Sequence, residues 1–520
     1  MYQENLINVS DAWLWLGNFG NTNIRACILM TILVFISWFA VFIKSKKTSH
    51  PLPPGPRGLP LVGNFLSLDA DNLHICFANL AKTYGPVMKL QLGRKACIVI
   101  TSPSLACEVF KEQEINFINR EVTAAGFEAS YGGTDIVWTP YGPEWRMLRK
   151  VCVHEMLSNT ALDSVYSLRR REIRRTVQYI YSQIGSPVNV GEHMFLTIIN
   201  VITNMMWGST VKGEERVVIG TKFRQVVNEI TQLLGMPNVS DFHPGLARYD
   251  FQGIQKKMKD LVKRFDDIFE TVISEKQKTG QEGIRDFMEC LLKFKSDPDA
   301  KIPFTMTHIK ALLMDMVVGG SESTSNTMEF ALAELINKPQ LMQKVQEELQ
   351  TVVGDDDMVE ESHIHKLPYL YAVMKETLRL HAPIPLMVPR CPTETSVVGG
   401  YTIPKGARVF INVWSIHRDP SIWERPLEFD PERFLDDKWD HSGKNFSYLP
   451  FGSGRRICAG ITMAERMFLL SLASLVHSFN WNLPQGMKID LSEKFGIVLK
   501  KRIPLVAIPT PKLSKLELYQ

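Results

Sequence analysis

Within this chain the stretch that most restricts the fold is Phe451-Gly-Ser-Gly-Arg-Arg-Ile-Cys-Ala-Gly460, which runs straight into an amphipathic pattern from Ile461. Gly452, Gly454 and Gly460 allow tight backbone turns and let a flat ligand approach the main chain. Amides near a helix amino terminus lower the energy of a thiolate through hydrogen bonding and the helix dipole. Cys458 therefore stands where a thiol becomes an anionic metal ligand. A lone cysteine in other surroundings is a small buried hydrophobe, and that reading holds for Cys27, Cys76, Cys97, Cys107, Cys152, Cys290 and Cys391. Eight cysteines in 520 residues, without a C-x-x-C pair, are too sparse for a disulfide scaffold and imply free thiols in a reducing compartment.

The periodicity around this window is helical. Apolar residues recur three and four apart over Leu73–Lys82, Pro103–Gln113, Trp145–Met156, Ala161–Ile184, Gly253–Thr279, Thr307–Ile336, Pro339–Val353, Leu370–Leu380 and Ile461–Ser478. Strand-like runs are short: Val87–Leu92, Ala96–Thr101, Ser396–Thr402, Arg408–Val413 and the tail Ile497–Ile508. With no repeat and no second linker, the pattern predicts one mainly α unit with small β-sheets over 61–520.

Ahead of that unit, Ala26–Ile43 is eighteen residues without a charge, which as a helix spans about 27 Å and matches the hydrocarbon core of a bilayer. Lys44, Lys46 and Lys47 follow at once, so the positive-inside rule predicts a lumenal segment 1–23, a transmembrane anchor 24–43 and a cytosolic remainder. A cleaved signal peptide is the competing reading; the run is longer than an h-region, starts late and lacks a small-x-small site. Residues 44–60, with Pro51-Leu-Pro-Pro-Gly-Pro56, predict a basic and proline-rich hinge. A net charge of 59 − 55 = +4 gives no case for nucleic acid.

Several residue pairs have two readings on spacing alone. Trp145 and Arg149 share a helical face, as do Glu376 and Arg379, and such pairs are ordinarily core or surface features. Gly319-Gly320 inside the long helical pattern costs backbone entropy and invites a local distortion, which Ser323 or Thr324 widens by bonding to a carbonyl; a weakened packing contact is the alternative. His363 and His365 form an H-x-H pair without an obvious third ligand.

The pattern F-x-x-G-x-R-x-C-x-G, read as Phe451, Gly454, Arg456, Cys458 and Gly460, resembles the haem-binding loop of cytochrome P-450 monooxygenases. Glu376-Thr-Leu-Arg379, Pro431-Glu-Arg-Phe434 and Gly319-Gly-Ser-Glu-Ser-Thr324 are similar to three further motifs of that family. With the anchor and hinge, the resemblance covers nearly the whole chain and is strongest to plant microsomal members. Lys494-Phe-Gly-Ile-Val-Leu499 and Ile508-Pro-Thr-Pro511 resemble the plant group that includes sesquiterpene and flavone hydroxylases.

That resemblance implies haem b held between a long central helix and the cysteine loop, with Cys458 as axial thiolate favouring O–O cleavage. Trp145, Arg149, Arg390 and Arg456 are implied at the propionates, with Phe451 and Gly460 in the cofactor loop. Glu376, Arg379 and Arg433 are implied as a structural triad. Glu322 is implied as proton source, with Ser323 or Thr324 as the assisting hydroxyl. The family more often has threonine at the position of Ser323, so whether Ser323, Thr324 or an ordered water makes the key hydrogen bond stays open. Substrate contacts are implied from the Thr123–Asp135 loop and from Met314, Val317, Val318, Ile384, Val388 and Phe495, a mostly apolar set.

The chain has no G-x-G-x-x-G turn for a dinucleotide, so electrons must come from an NADPH-cytochrome P-450 reductase docking on Arg146, Arg149, Lys150, Arg455 and Arg456. The expected activity is hydroxylation, with dioxygen, of a hydrophobic plant specialised metabolite at the endoplasmic reticulum membrane. A sesquiterpene-like terpenoid is the first substrate reading and a flavonoid the second. A haem-thiolate isomerase or dehydratase and a non-catalytic haem protein are the competing classes.

Overall fold

The computed structural model describes residues 29–35, 50–208, 215–279, 286–296, 302–436 and 438–520. The chain divides into two compact units, Met1–Pro51 and Leu52–Gln520. In the first, residues 29–35 are helical and exposed. The expected lumenal segment 1–23 and the rest of the expected anchor lie outside the described residues. Among the described residues no helix is long and apolar enough to cross a membrane.

The second unit begins at Leu52, so the proline-rich stretch from Leu52 onward belongs to that unit. Pro53 is buried, and the Pro54 carbonyl accepts the Lys89 amide at 2.8 Å. Gly55 lies so close to this strand that a Cβ would stand 1.8 Å from the Lys89 carbonyl oxygen.

The longer helices are α1 Leu73–Tyr84, α2 Pro143–Lys150, α3 Tyr166–Ser182, α4 Val190–Trp207, α5 Glu215–Gly235, α6 Ile254–Thr279, α7 Met306–Asn337, α8 Pro339–Val352, α9 Pro368–Leu380 and α10 Ile461–Ser478. The strands are β1 Val87–Leu92, β2 Lys95–Ile100, β3 Val188–Asn189, β4 Ser396–Val398, β5 Tyr401–Ile403, β6 Arg408–Ile411, β7 Phe479–Asn482, β8 Glu493–Lys494, β9 Lys500–Lys501 and β10 Val506–Pro511. They form a β1-β2-β6 sheet, a β3-β10-β7 sheet and two hairpins.

The spine is α7. Its start is fixed by a capping box in which the Thr305 hydroxyl accepts the His308 amide and His308 accepts the Thr305 amide. Its 32 residues span about 48 Å, packed on α4, α9 and α10. The sequence pattern missed α4 because fourteen of its eighteen residues are buried, and a helix enclosed on most sides has no apolar stripe for periodicity to detect. Helix α5 and the helix Phe287–Lys295 were not foreseen either.

Two expected helices change character. Residues Glu108–Glu112 and Val151–Met156 are π-helical turns ending their helices, and the expected helix over 161–184 is interrupted at Val165 before α3. The expected strand Ser396–Thr402 is a hairpin, because Gly399 and Gly400 adopt φ of +57° and +79° and turn the chain back. The tail 497–508 is split between β9 and β10.

Candidate active site

The cysteine loop is positioned from both ends. Before Cys458, Gly454 has φ of +71°, and a Cβ there would stand 2.5 Å from a Glu114 carboxylate oxygen. That carboxylate accepts the Arg455 amide at 2.6 Å and pairs with the Arg455 guanidinium. After Cys458, α10 begins at Ile461. The Cys458 amide donates to the Phe451 carbonyl at 3.0 Å, and the Gly460 amide donates to Cys458 Sγ at 3.3 Å. Burial pushes the thiol above its ordinary value, while the Gly460 amide, Arg149 and Arg120 pull it back. The thiol opens on an internal cavity of about 300 Å³ whose walls include Phe451, Arg456 and Gly460.

Four guanidinium groups surround the same cavity: Arg120, Arg149, Arg390 and Arg456. Arg390 is placed by the sheet, exchanging amide and carbonyl bonds of 2.8 Å with Val409 on β6. Arg456 donates to the carbonyls of Ile118, Ile136, Val137 and Thr139, at 2.6 to 3.2 Å, and lies over the Trp145 ring at 4.6 Å. Arg120 donates to the Val137 carbonyl at 2.9 Å, and Trp145 Nε1 to the Ile136 carbonyl at 3.1 Å. Arg120 Nε is buried without a partner.

Among the described residues none of these four arginines forms a salt bridge, and burial lowers all four below the ordinary arginine range. Arg120 falls to about 10 and Arg456 to about 9; Arg390, which burial and then Arg120 and Arg456 disfavour, goes well below that range. Four enclosed cations without a salt-bridging carboxylate, with Asp135 and Asp315 the nearby acids, carry a surplus of positive charge that is costly unless an anion completes it. Beside a thiol ligand and apolar walls, that charge pattern fits a flat metal cofactor carrying two carboxylates.

Along α7 the wall is the stripe Asp315/Met316, Gly319/Gly320, Ser323/Thr324 and Thr327. A Cβ on Gly319 would meet nothing within 4 Å, whereas one on Gly320 would stand 3.1 Å from Ile202 of α4. The helix runs as a regular α-helix through this point, so the expected distortion is absent and the opening comes from the missing Gly319 side chain. Ser323 Oγ donates to the Gly319 carbonyl at 2.8 Å.

Glu322 points away from the cavity, hydrogen-bonded to Thr231 on α5 with Lys500 and Arg224 nearby. Burial raises its carboxyl above the ordinary range, and its Oε2 is without a partner.

Glu376, Arg379 and Arg433 come together behind the loop. The Arg379 guanidinium donates to both Glu376 oxygens at 2.6 and 2.7 Å and to the carbonyls of His417, Pro426 and Glu428. Arg433 Nε and the Asp430 amide donate to Glu376 Oε1 at 3.3 and 2.7 Å. Glu376 and Arg379 are fully buried.

Other expected contacts fall elsewhere. Ile384 and Val388 line the cavity, but Met314, Val317 and Val318 pack into the core because they lie off the cavity stripe by a fraction of a helical turn. Phe495 lines a second cavity of about 140 Å³ that shares Ile384 and Met387 with the first. In the Thr123–Asp135 loop, residues Ala124–Ala129 form a short helix capped by Thr123. Arg149 and Arg456 face the cavity, so of the expected docking cations only Arg146, Lys150 and Arg455 remain for an outer surface. The His363–His365 pair belongs to no metal-binding group among the described residues; His363 Nδ1 accepts the Glu360 amide. Sequence reasoning missed Arg120 and Asp315, which carry no local motif.

Residues 53–506 match the family model for cytochrome P450. A flavonoid 3'-monooxygenase of Crocosmia x crocosmiiflora is 39% identical, over 92% of this chain and 97% of its own. A geraniol 8-hydroxylase of Catharanthus roseus is 37% identical, over 93% and 99%. Among solved structures, a zebra fish cytochrome P450 with abiraterone superposes with a TM-score of 0.71 at 26% identity, covering 84% of this chain and 99% of that one.

Proposed function

The chain belongs to the cytochrome P450 family and is a haem monooxygenase with a cysteine thiolate ligand; from that premise we propose that it hydroxylates a hydrophobic plant specialised metabolite, a sesquiterpene-like terpenoid first. The observation that carries this is the apolar cavity bounded by Cys458, the four arginines and the α7 stripe.

When bound, haem supplies the activation of dioxygen and the oxidising power. The chain supplies the rest. Arg120, Arg149, Arg390 and Arg456 would hold the two propionates, and Cys458 would supply the thiolate ligand. Met316, Ile384, Met387 and Val388 exclude water and orient the substrate. Ser323 and Thr324 steady a proton at the cavity wall, and Glu322, whose carboxyl burial raises above the ordinary range, resupplies it from the α5 side.

Electrons come from a redox partner, which we assign as the NADPH-dependent reductase, at an endoplasmic reticulum membrane reached through a single anchor over 24–43. A flavonoid substrate is the second reading, supported by the flavonoid hydroxylases among the relatives and by the polar Asp315 on the wall.

The test is a reduced carbon monoxide difference spectrum on microsomes containing the protein, followed by ferric spectra with sesquiterpenes and flavones. A red-shifted Soret band is expected and is lost in Cys458→Ser. The compounds that shift the ferric spin state choose the substrate class. Turnover without a reductase would instead support the isomerase class.

A further inference from the structure

Two carboxyl groups at the cavity have no contact with the thiol and no part in resupplying protons. Asp315 lines the cavity from α7, Asp135 is buried behind it, and the two carboxyl groups face each other at close range. Each also holds the segment that follows Asp135. Asp315 Oδ2 accepts the Ile136 amide at 3.0 Å, Asp135 Oδ1 accepts the Trp138 amide at 2.5 Å, and the Asp135 amide donates to Thr139 Oγ1 at 2.9 Å.

This segment supplies the carbonyls of Ile136, Val137 and Thr139 that hold Trp145, Arg120 and Arg456. The acid pair is thus one bond removed from two of the four cations, Arg120 and Arg456, and from Trp145. Two enclosed carboxyls facing each other at close range disfavour double ionisation, and a single proton held between them relieves the repulsion. Burial raises both acids, and for Asp315 the charge of Asp135 adds to it. The charged and titratable groups facing the pair are Arg120, Arg456 on the cysteine loop and the Cys152 thiol after α2, itself pushed up to about 12 by burial.

We propose that Asp135 and Asp315 share one proton and act together as positioning residues, a clasp that fastens residues 136–139 to α7 and holds haem only while that proton is present. When the proton leaves for solvent, two anions face each other and the clasp opens. The folded state binds this proton more tightly than the unfolded chain does, so its contribution is present at low pH and lost as pH rises. The inference rests on the haem reading, and its test separates the two.

Holoenzyme in detergent is incubated with excess apomyoglobin between pH 6 and 9.5, and the rate of haem transfer is followed. For the wild type the rate is expected to climb with pH, approaching about ten-fold per unit on its steepest limb, as one proton dictates. Asp315→Asn keeps an acceptor for the Ile136 amide and a donor for Asp135 but has no proton to lose, so its profile is expected to be flat. A profile parallel to wild type in Asp315→Asn overturns the clasp, and a purely structural role would change the rate equally at every pH.

Should that variant not fold, amide hydrogen exchange of residues 136–139 in the wild type decides. Protection falling with pH faster than base catalysis alone supports the clasp, and constant protection overturns it. Absence of the thiolate Soret band at neutral pH would sink the haem reading, while the amide measurement still decides the clasp.

Discussion

Arginines are enclosed at two places, around Glu376 and around the cavity, and the two groups are built in opposite ways. Around Arg379 the charge is closed: both oxygens of Glu376 meet the guanidinium, and three carbonyls take the remaining donors. Around the cavity, Arg120, Arg149, Arg390 and Arg456 meet carbonyls and rings but no salt-bridging carboxylate among the described residues. The first group is complete without a ligand and serves the fold. The second is held in place with a surplus of positive charge and becomes complete when an anion arrives. Residue type is the same in both, so the balance of charge distinguishes structure from site.

The sharpest way to break this comparison is to open the closed group. Arg379→Ala leaves the buried Glu376 with only Arg433 and the Asp430 amide and strips three carbonyls of their donor, a loss of about 3–5 kcal/mol, so thermal unfolding and soluble yield should collapse in the haem-free protein as much as in the loaded one. Removing a member of the open group should do the reverse. Arg390→Met deletes a buried cation held by one hydrogen bond of 3.3 Å to the Ile118 carbonyl, so the haem-free protein should melt at the same temperature or higher. Haem binding, measured by Soret titration, should weaken about ten-fold or more with the loss of one charge-assisted contact. If Arg390→Met destabilises the haem-free protein as Arg379→Ala does, the distinction fails.

Glu322 extends the comparison to acids, since one of its oxygens is unpartnered and burial raises its carboxyl. Glu322→Gln should leave the melting temperature nearly unchanged while lowering turnover about 100-fold, the scale of a lost general acid. In the wild type, turnover should fall as pH rises through the raised carboxyl, because the proton to be delivered is then gone; a pH-rate profile of the variant should lack that limb.

The smallest effect is expected at Gly319. Alanine there fits into open space and should raise helix stability by up to about 1 kcal/mol. It should also narrow the cavity and reduce the spin-state shift caused by bulky substrates. A loss of stability would mean that the gap over α7 is not open.

What the sequence revealed follows the same division. Cys458, Glu376 and Arg379 were legible because their partners are local: a glycine-rich loop, a helical face, a motif of a few residues. Arg120 and Asp315 were not, since their roles arise from chain segments brought together in three dimensions. Met314 and Val318 were misplaced because periodicity marks α7 as apolar without saying which stripe faces α4 and which faces the cavity. Helix α4 escaped for the related reason that a helix buried on most sides has no polar face to mark its period. The hairpin at Gly399-Gly400 was read as one strand although the glycine pair was a turn signal.

Ile136 and Val137 line the cavity while their carbonyls hold Trp145, Arg120 and Arg456. Any residue offers the same carbonyl. These two positions can therefore diversify between related enzymes, changing what the cavity accepts, without loosening the grip on the cofactor. Proline alone is barred at 136, where the amide is committed to Asp315. The backbone keeps the inherited task, which frees the side chains at those positions to take on new substrates.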